Sequence, residues 1–94
     1  MFSSTITTRN IVRNCLYKLG ITPLKHSYTE KTSKYLPFRR SVVFKISRST
    51  DIETQRKIAS TINSEFLRLN LYNKTTVTYK SYSPYIYVRT IAYI

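Results

Sequence analysis

The sequence predicts an α+β fold: a small sheet, antiparallel or mixed, carrying one long helix on one face. Three observations predict it. Residues 40–48 alternate apolar and polar side chains with period two, the spacing of a half-buried strand. Residues 51–69 then repeat Ile52, Ile58, Ala59, Ile62, Phe66 and Leu69 at three- and four-residue spacing, the period of an amphipathic helix. Finally, residues 75–81 and 85–93 are dense in Val, Ile, Thr and Tyr and are separated by Ser81-Tyr82-Ser83-Pro84, a hairpin signature. The order strand-helix-strand-strand gives three strands with one helical cover, and domain limits of about 38–94.

Taken in chain order, residues 1–21 come first. On a wheel at about 100° per residue, Ile11, Val12, Cys15, Leu16 and Leu19 share one side, and Arg9, Asn10, Arg13, Asn14, Tyr17 and Lys18 the other. This is a basic amphipathic helix, with Gly20 placed to close it. The first 29 residues hold no acid, the composition of a mitochondrial targeting segment as well as of a surface helix that packs on a core. Residues 22–37, between Pro23 and Pro37, have no period and read as an extended linker.

In the first strand Val42, Phe44 and Ile46 alternate with Val43, Lys45 and Ser47. Thr50-Asp51-Ile52-Glu53 reads as a capping box, Thr50 as N-cap and Glu53 as its reciprocal partner. Asn70 or Asn73 takes the left-handed cap at the far end, no glycine being at hand. In the hairpin Val77, Tyr79 and Ser81 share one side, with Thr76, Thr78 and Lys80 on the other. The second strand sets Ile86, Val88, Thr90 and Ala92 against Tyr85, Tyr87, Arg89, Ile91 and Tyr93. One helix buries one side of this sheet and leaves the other open unless a partner covers it.

The composition narrows function. Sixteen Lys and Arg against four Asp and Glu give a net charge of +12 over 94 residues, which calls for a polyanionic partner. A single cysteine, Cys15, leaves no disulfide framework or multi-cysteine zinc site, and no apolar run reaches the roughly 20 residues of a membrane span. Gly20 is the only glycine, so there is no glycine-rich phosphate loop. The lone histidine, His26, sits in the polar linker, and Asp51 and Glu53 are explained by the helix start. An enzyme is not expected, and no cofactor or metal is. The outlying catalytic reading, a small ribonuclease, would rest on His26 alone.

The positive charge is distributed along the chain rather than gathered on one recognition helix. Phosphate contact is expected from Arg39, Arg40, Lys45, Arg48, Arg56, Lys57, Lys80 and Arg89. Tyr79, Tyr82, Tyr85 and Tyr87 are candidates for base stacking or protein contact. Zinc-finger, leucine-zipper and aromatic RNA-recognition signatures are missing.

Leu36-Pro37-Phe38, a strand ending in Lys45-Ile46-Ser47-Arg48, Asp51 at a helix start, a helix and a hairpin together resemble the mitochondrial large-subunit ribosomal protein 49 family over about residues 35–94. Thr50 stands where that family has a glycine before the aspartate. The resemblance implies a ribosomal protein of the mitochondrial matrix, in the large subunit. Size, charge, the acid-free start and an incompletely covered core point to the same broader class. Its partners would be rRNA and neighbouring ribosomal proteins, and the lone chain would not be stable. Two other classes compete. One is an accessory subunit of an inner-membrane respiratory complex, with the helix near residues 9–19 lying on lipid. The other is a free nucleic-acid-binding regulator.

Overall fold

The computed structural model describes residues 7–24, 28–32 and 39–93, with only the backbone path of 28–32. His26 and the Leu36-Pro37-Phe38 segment lie outside the described residues. The elements are α1 (Thr8–Lys18), β1 (Tyr28–Thr32), β2 (Arg39–Ser47), α2 (Ile52–Arg68), β3 (Tyr72–Tyr79) and β4 (Tyr85–Tyr93). The sheet is antiparallel throughout, in the order β1-β2-β4-β3. The α+β class, the long helix and the hairpin are as the sequence predicts.

Two features differ. The expected linker yields five residues to β1, which pairs with β2 from Tyr28↔Phe44 to Thr32↔Arg40. Its Thr-Glu-Lys-Thr run has no apolar alternation, so period could not reveal it; an otherwise unpaired β2 edge is what recruits it. The second difference is the helical layer. At about 4.8 Å per strand the sheet is wider than the roughly 10 Å that one helix covers, and α1 supplies the second cover. It packs beside α2 and over β2 and β4, while α2 lies along β3.

Burial follows the two periods. Val42, Phe44 and Ile46 of β2 and Ile86, Val88 and Ala92 of β4 meet Ile58, Ile62 and Phe66 of α2 and Ile11, Val12, Cys15 and Leu16 of α1. Each large side chain so buried contributes about 1.5–3 kcal/mol. Thr90 is buried among them, and its hydroxyl is satisfied at 2.9 Å by that of Thr75. Asn73 continues this polar chain, donating from Nδ2 to Thr75 Oγ1 at 2.9 Å and to Asn63 Oδ1 of α2 at 2.7 Å. Ile52, assigned by spacing to the apolar stripe, is 58% exposed because it falls in the first turn of α2, beyond the sheet's cover.

Both helices end the same way. Gly20 (φ 76°) and Asn70 (φ 59°) take the left-handed conformation. In each case the following amide reaches back five residues, Ile21 to the Leu16 carbonyl and Leu71 to the Phe66 carbonyl, both at 2.9 Å. The start of α2 is shifted one residue from the expected capping box. Asp51, not Thr50, is the N-cap: its carboxylate accepts from the Thr54 amide at 3.1 Å and the Thr54 hydroxyl at 2.7 Å. An ionised carboxylate is the stronger acceptor at the positive end of a helix. Thr50 instead closes the preceding turn by donating to the Ser47 carbonyl at 2.7 Å. Glu53 pairs with Arg56 rather than reaching back.

Candidate nucleic-acid interface

Strand alternation turns every second residue of β2, β4 and β3 away from the helices. The register lines these residues up in rows: Arg39 with Tyr93 and Tyr72, Ser41 with Ile91 and Lys74, Val43 with Arg89 and Thr76, Lys45 with Tyr87 and Thr78, and Ser47 with Tyr85. Lys80 continues the β3 side just past the strand. This face extends about 27 Å along β4. Among the described residues, α1 and α2 pack on the opposite side of the sheet, against the alternate strand positions.

Its chemistry is one-sided. Arg39, Lys45, Lys74, Lys80 and Arg89 belong to it, and β2, β3 and β4 contain no acid. Asp51, Glu53 and Glu65 are all on α2 or its cap, behind the sheet. The aromatic complement is Tyr72 (82% exposed), Tyr93 (45% exposed), and the half-buried Tyr85 and Tyr87. Lys45 Nζ lies 5.6 Å from the centre of the Tyr85 ring, so part of the face is already ordered by a cation–π contact. Tyr87 is fastened too. Its hydroxyl and that of buried Ser83 are 3.0 Å apart, and Ser83 Oγ accepts from the Tyr85 amide at 3.2 Å. Val43, Thr76, Thr78, Lys80, Tyr87 and Arg89 line a shallow depression of about 300 Å³ in the middle of the face.

Of the predicted phosphate residues, Arg39, Lys45, Lys80 and Arg89 come together here, with Tyr85 and Tyr87 beside them. The others are elsewhere. Arg40 pairs with Ala92 and so has the helix-side parity. Arg56 and Lys57 are exposed on α2. Arg48 is committed to the hairpin: its Nη1 donates to the carbonyls of Lys80, Ser81 and Ser83 at 3.1, 3.2 and 2.8 Å, and its guanidinium lies 5.0 Å from the centre of the Tyr79 ring. Tyr79 is thus a cover for Arg48 on the helix side, and Tyr82 is exposed at the hairpin tip. Lys74, Tyr72 and Tyr93 were absent from the predicted set although they belong to the face. β3 begins three residues before the predicted Thr75, and the alternation Tyr72, Lys74, Thr76, Thr78 was the available signal.

Asp51, Glu65 and Cys15, on the helix side, have shifted pKa values. The Thr54 hydrogen bonds hold the Asp51 carboxyl below its usual range. Hydrogen bonding to Arg68 does the same for Glu65, which Lys18 also approaches at 3.8 Å. Burial pushes the Cys15 thiol up, the wrong direction for a reactive thiolate. Among the described residues no three His, Cys, Asp or Glu side chains cluster, and no helix is long and apolar enough to cross a membrane.

Comparison with known proteins adds no relative: no family model, curated protein or solved structure matches the chain.

Proposed function

We propose that the chain is a structural, non-catalytic constituent of the mitochondrial ribosome, in its large subunit, and that it binds rRNA through the open face of the sheet. The observation that carries the proposal is that face: five cations and four tyrosines on one side of three strands that contain no acid. Backbone phosphates are the partner that such a surface fits, with the tyrosines available to unpaired bases. Neighbouring ribosomal proteins would cover what RNA does not. The large-subunit placement rests on the family resemblance of residues 35–94.

The arrangement of α1 favours this reading over a lipid-bound respiratory subunit. Ile11, Val12, Cys15 and Leu16 are turned into the core. Docking them on a membrane would require taking the domain apart.

Sedimentation of organelle lysate on a sucrose gradient tests the proposal. Co-migration with the large ribosomal subunit, abolished by ribonuclease, is expected. Migration as a small free protein would promote the regulator, and a ribonuclease-resistant, detergent-released complex the respiratory subunit. For the purified chain, about six neutralised phosphates would cost roughly 10³-fold in RNA affinity between about 50 and 200 mM salt. A flat salt response would remove the phosphate mechanism.

A further inference from the structure

The depression at the centre of the open face has a narrower chemistry than the face as a whole. Two adjacent rows build it. Val43, Arg89 and Thr76 form one, and Tyr87 and Thr78 belong to the next, with Lys80 at the rim. Val43 and the Tyr87 ring bring apolar surface to it. The Tyr87 hydroxyl is tied back to Ser83, so the ring is held in place before anything binds. Thr76 and Thr78 bring hydroxyl-bearing side chains to the lining, and Lys80 and Arg89 bring positive charge. No carboxylate among the described residues pairs with either cation. About 300 Å³ is the small end of the range for organic ligands, room for one flat heterocycle and its sugar rather than for a duplex. A fixed aromatic ring with two cations and hydroxyl donors is the complement of a single nucleotide: a π-face to stack on, a phosphate to pair, a ribose to hydrogen-bond.

We propose that this depression seats one unpaired nucleotide of RNA, its base against Tyr87 and its flanking phosphates on Lys80 and Arg89. The inference rests on the reading of the open face as an RNA surface and adds that the face distinguishes single-stranded or bulged RNA from continuous duplex. A regular helix keeps its bases stacked inside and can offer the depression only phosphates.

The test is fluorescence anisotropy of the full chain with a labelled single-stranded 21-mer RNA and a blunt 11-base-pair duplex RNA, which have equal phosphate number, at one salt concentration. The single strand is expected to bind roughly 5- to 150-fold more tightly, the range for stacking one base on an aromatic ring. Tyr87→Leu, which keeps apolar bulk and loses the π-face, should abolish most of that preference while leaving duplex binding in place. Thr78→Leu fills the depression from an exposed strand position opposite Tyr87 and should do the same with Tyr87 itself and the core unmutated. It decides the matter if Tyr87→Leu fails to fold. Equal affinity of the wild-type chain for the two RNAs, or a preference that survives Thr78→Leu, overturns the nucleotide site and leaves the open-face reading standing. Failure to bind either RNA overturns both.

Discussion

The two faces of one sheet take alternate residues of the same strands and do opposite things. Val42, Phe44, Ile46, Ile86 and Val88 point one way and are buried beneath two helices; Val43, Lys45, Tyr85, Tyr87 and Arg89 alternate with them and point the other way. Tyr and Thr suit strands on either face, so strand propensity does not separate core from surface here. Charge does. Every Lys and Arg of β2, β3 and β4 except Arg40 belongs to the open face, and every acid of the described α2 region lies behind it. A 94-residue chain thereby gains one face on which cations and aromatics stand without an acid, while Asp51, Glu53 and Glu65 sit among the cations of the helices on the other side.

Removal of α1 should break the comparison most severely. Deleting residues 1–20 takes Ile11, Val12, Cys15 and Leu16 out of the core at once, and the cooperative thermal transition should disappear. A sharp transition in the truncated chain would show that α2 and the sheet suffice. Phe66→Ala comes next, with an expected loss of about 3–5 kcal/mol in denaturant melts. Its open-face counterpart, Tyr72→Ala, should stay within about 0.5 kcal/mol.

Arg48→Ala sharpens the distinction between charge used for folding and charge used for binding. Loss of its carbonyl hydrogen bonds and of its packing on Tyr79 should cost about 1–3 kcal/mol, read as a lower melting temperature. The accompanying change in RNA affinity should be smaller than that of Arg89→Ala.

The smallest effect concerns the acids behind the sheet. The carboxyls of Asp51 and Glu65 are held below their ordinary range by hydrogen bonds, so each binds its proton less readily when folded. The stabilisation is present above the unfolded carboxylate pKa of about 4 and is lost as pH falls through the lower folded value. Asp51→Ala should therefore lower the melting temperature by a few degrees at neutral pH, with the gap narrowing in acid. A gap that widens in acid would contradict the assignment of Asp51 as an ionised cap.

Most of the fold was legible because the periods are strong. The stripe of Ile58, Ile62 and Phe66, the alternation in β2 and β4, and the caps at Gly20 and Asn70 all follow from local pattern. β1 was not legible, since pairing with β2 rather than its own pattern makes it a strand. The capping register was missed by one residue because Thr50 and Asp51 are both good caps, and the Asp51 carboxylate, which takes both the Thr54 amide and the Thr54 hydroxyl, is the stronger acceptor. At the site, local pattern separated open-face from core positions along each strand. It could not show that Arg48 would fold back onto the hairpin carbonyls, an interaction between residues more than thirty positions apart. Nor could it show that the Tyr87 hydroxyl would be anchored by Ser83, because that depends on the shape of the turn.

The claim that the open face is the RNA surface is tested most directly by two variants of equal charge change. Lys74→Ala with Arg89→Ala removes two charges from the face, and Arg56→Ala with Lys57→Ala removes two from α2 on the other side of the molecule. With wild-type, each is titrated with single-stranded RNA over a range of salt. The open-face pair should lower affinity at least tenfold more than the α2 pair. It should also make the log–log salt slope shallower by roughly 1.4, about 0.7 for each phosphate that is no longer neutralised. Equal losses of affinity from the two pairs would mean that the charge acts only as a diffuse field and that the open face is not the interface.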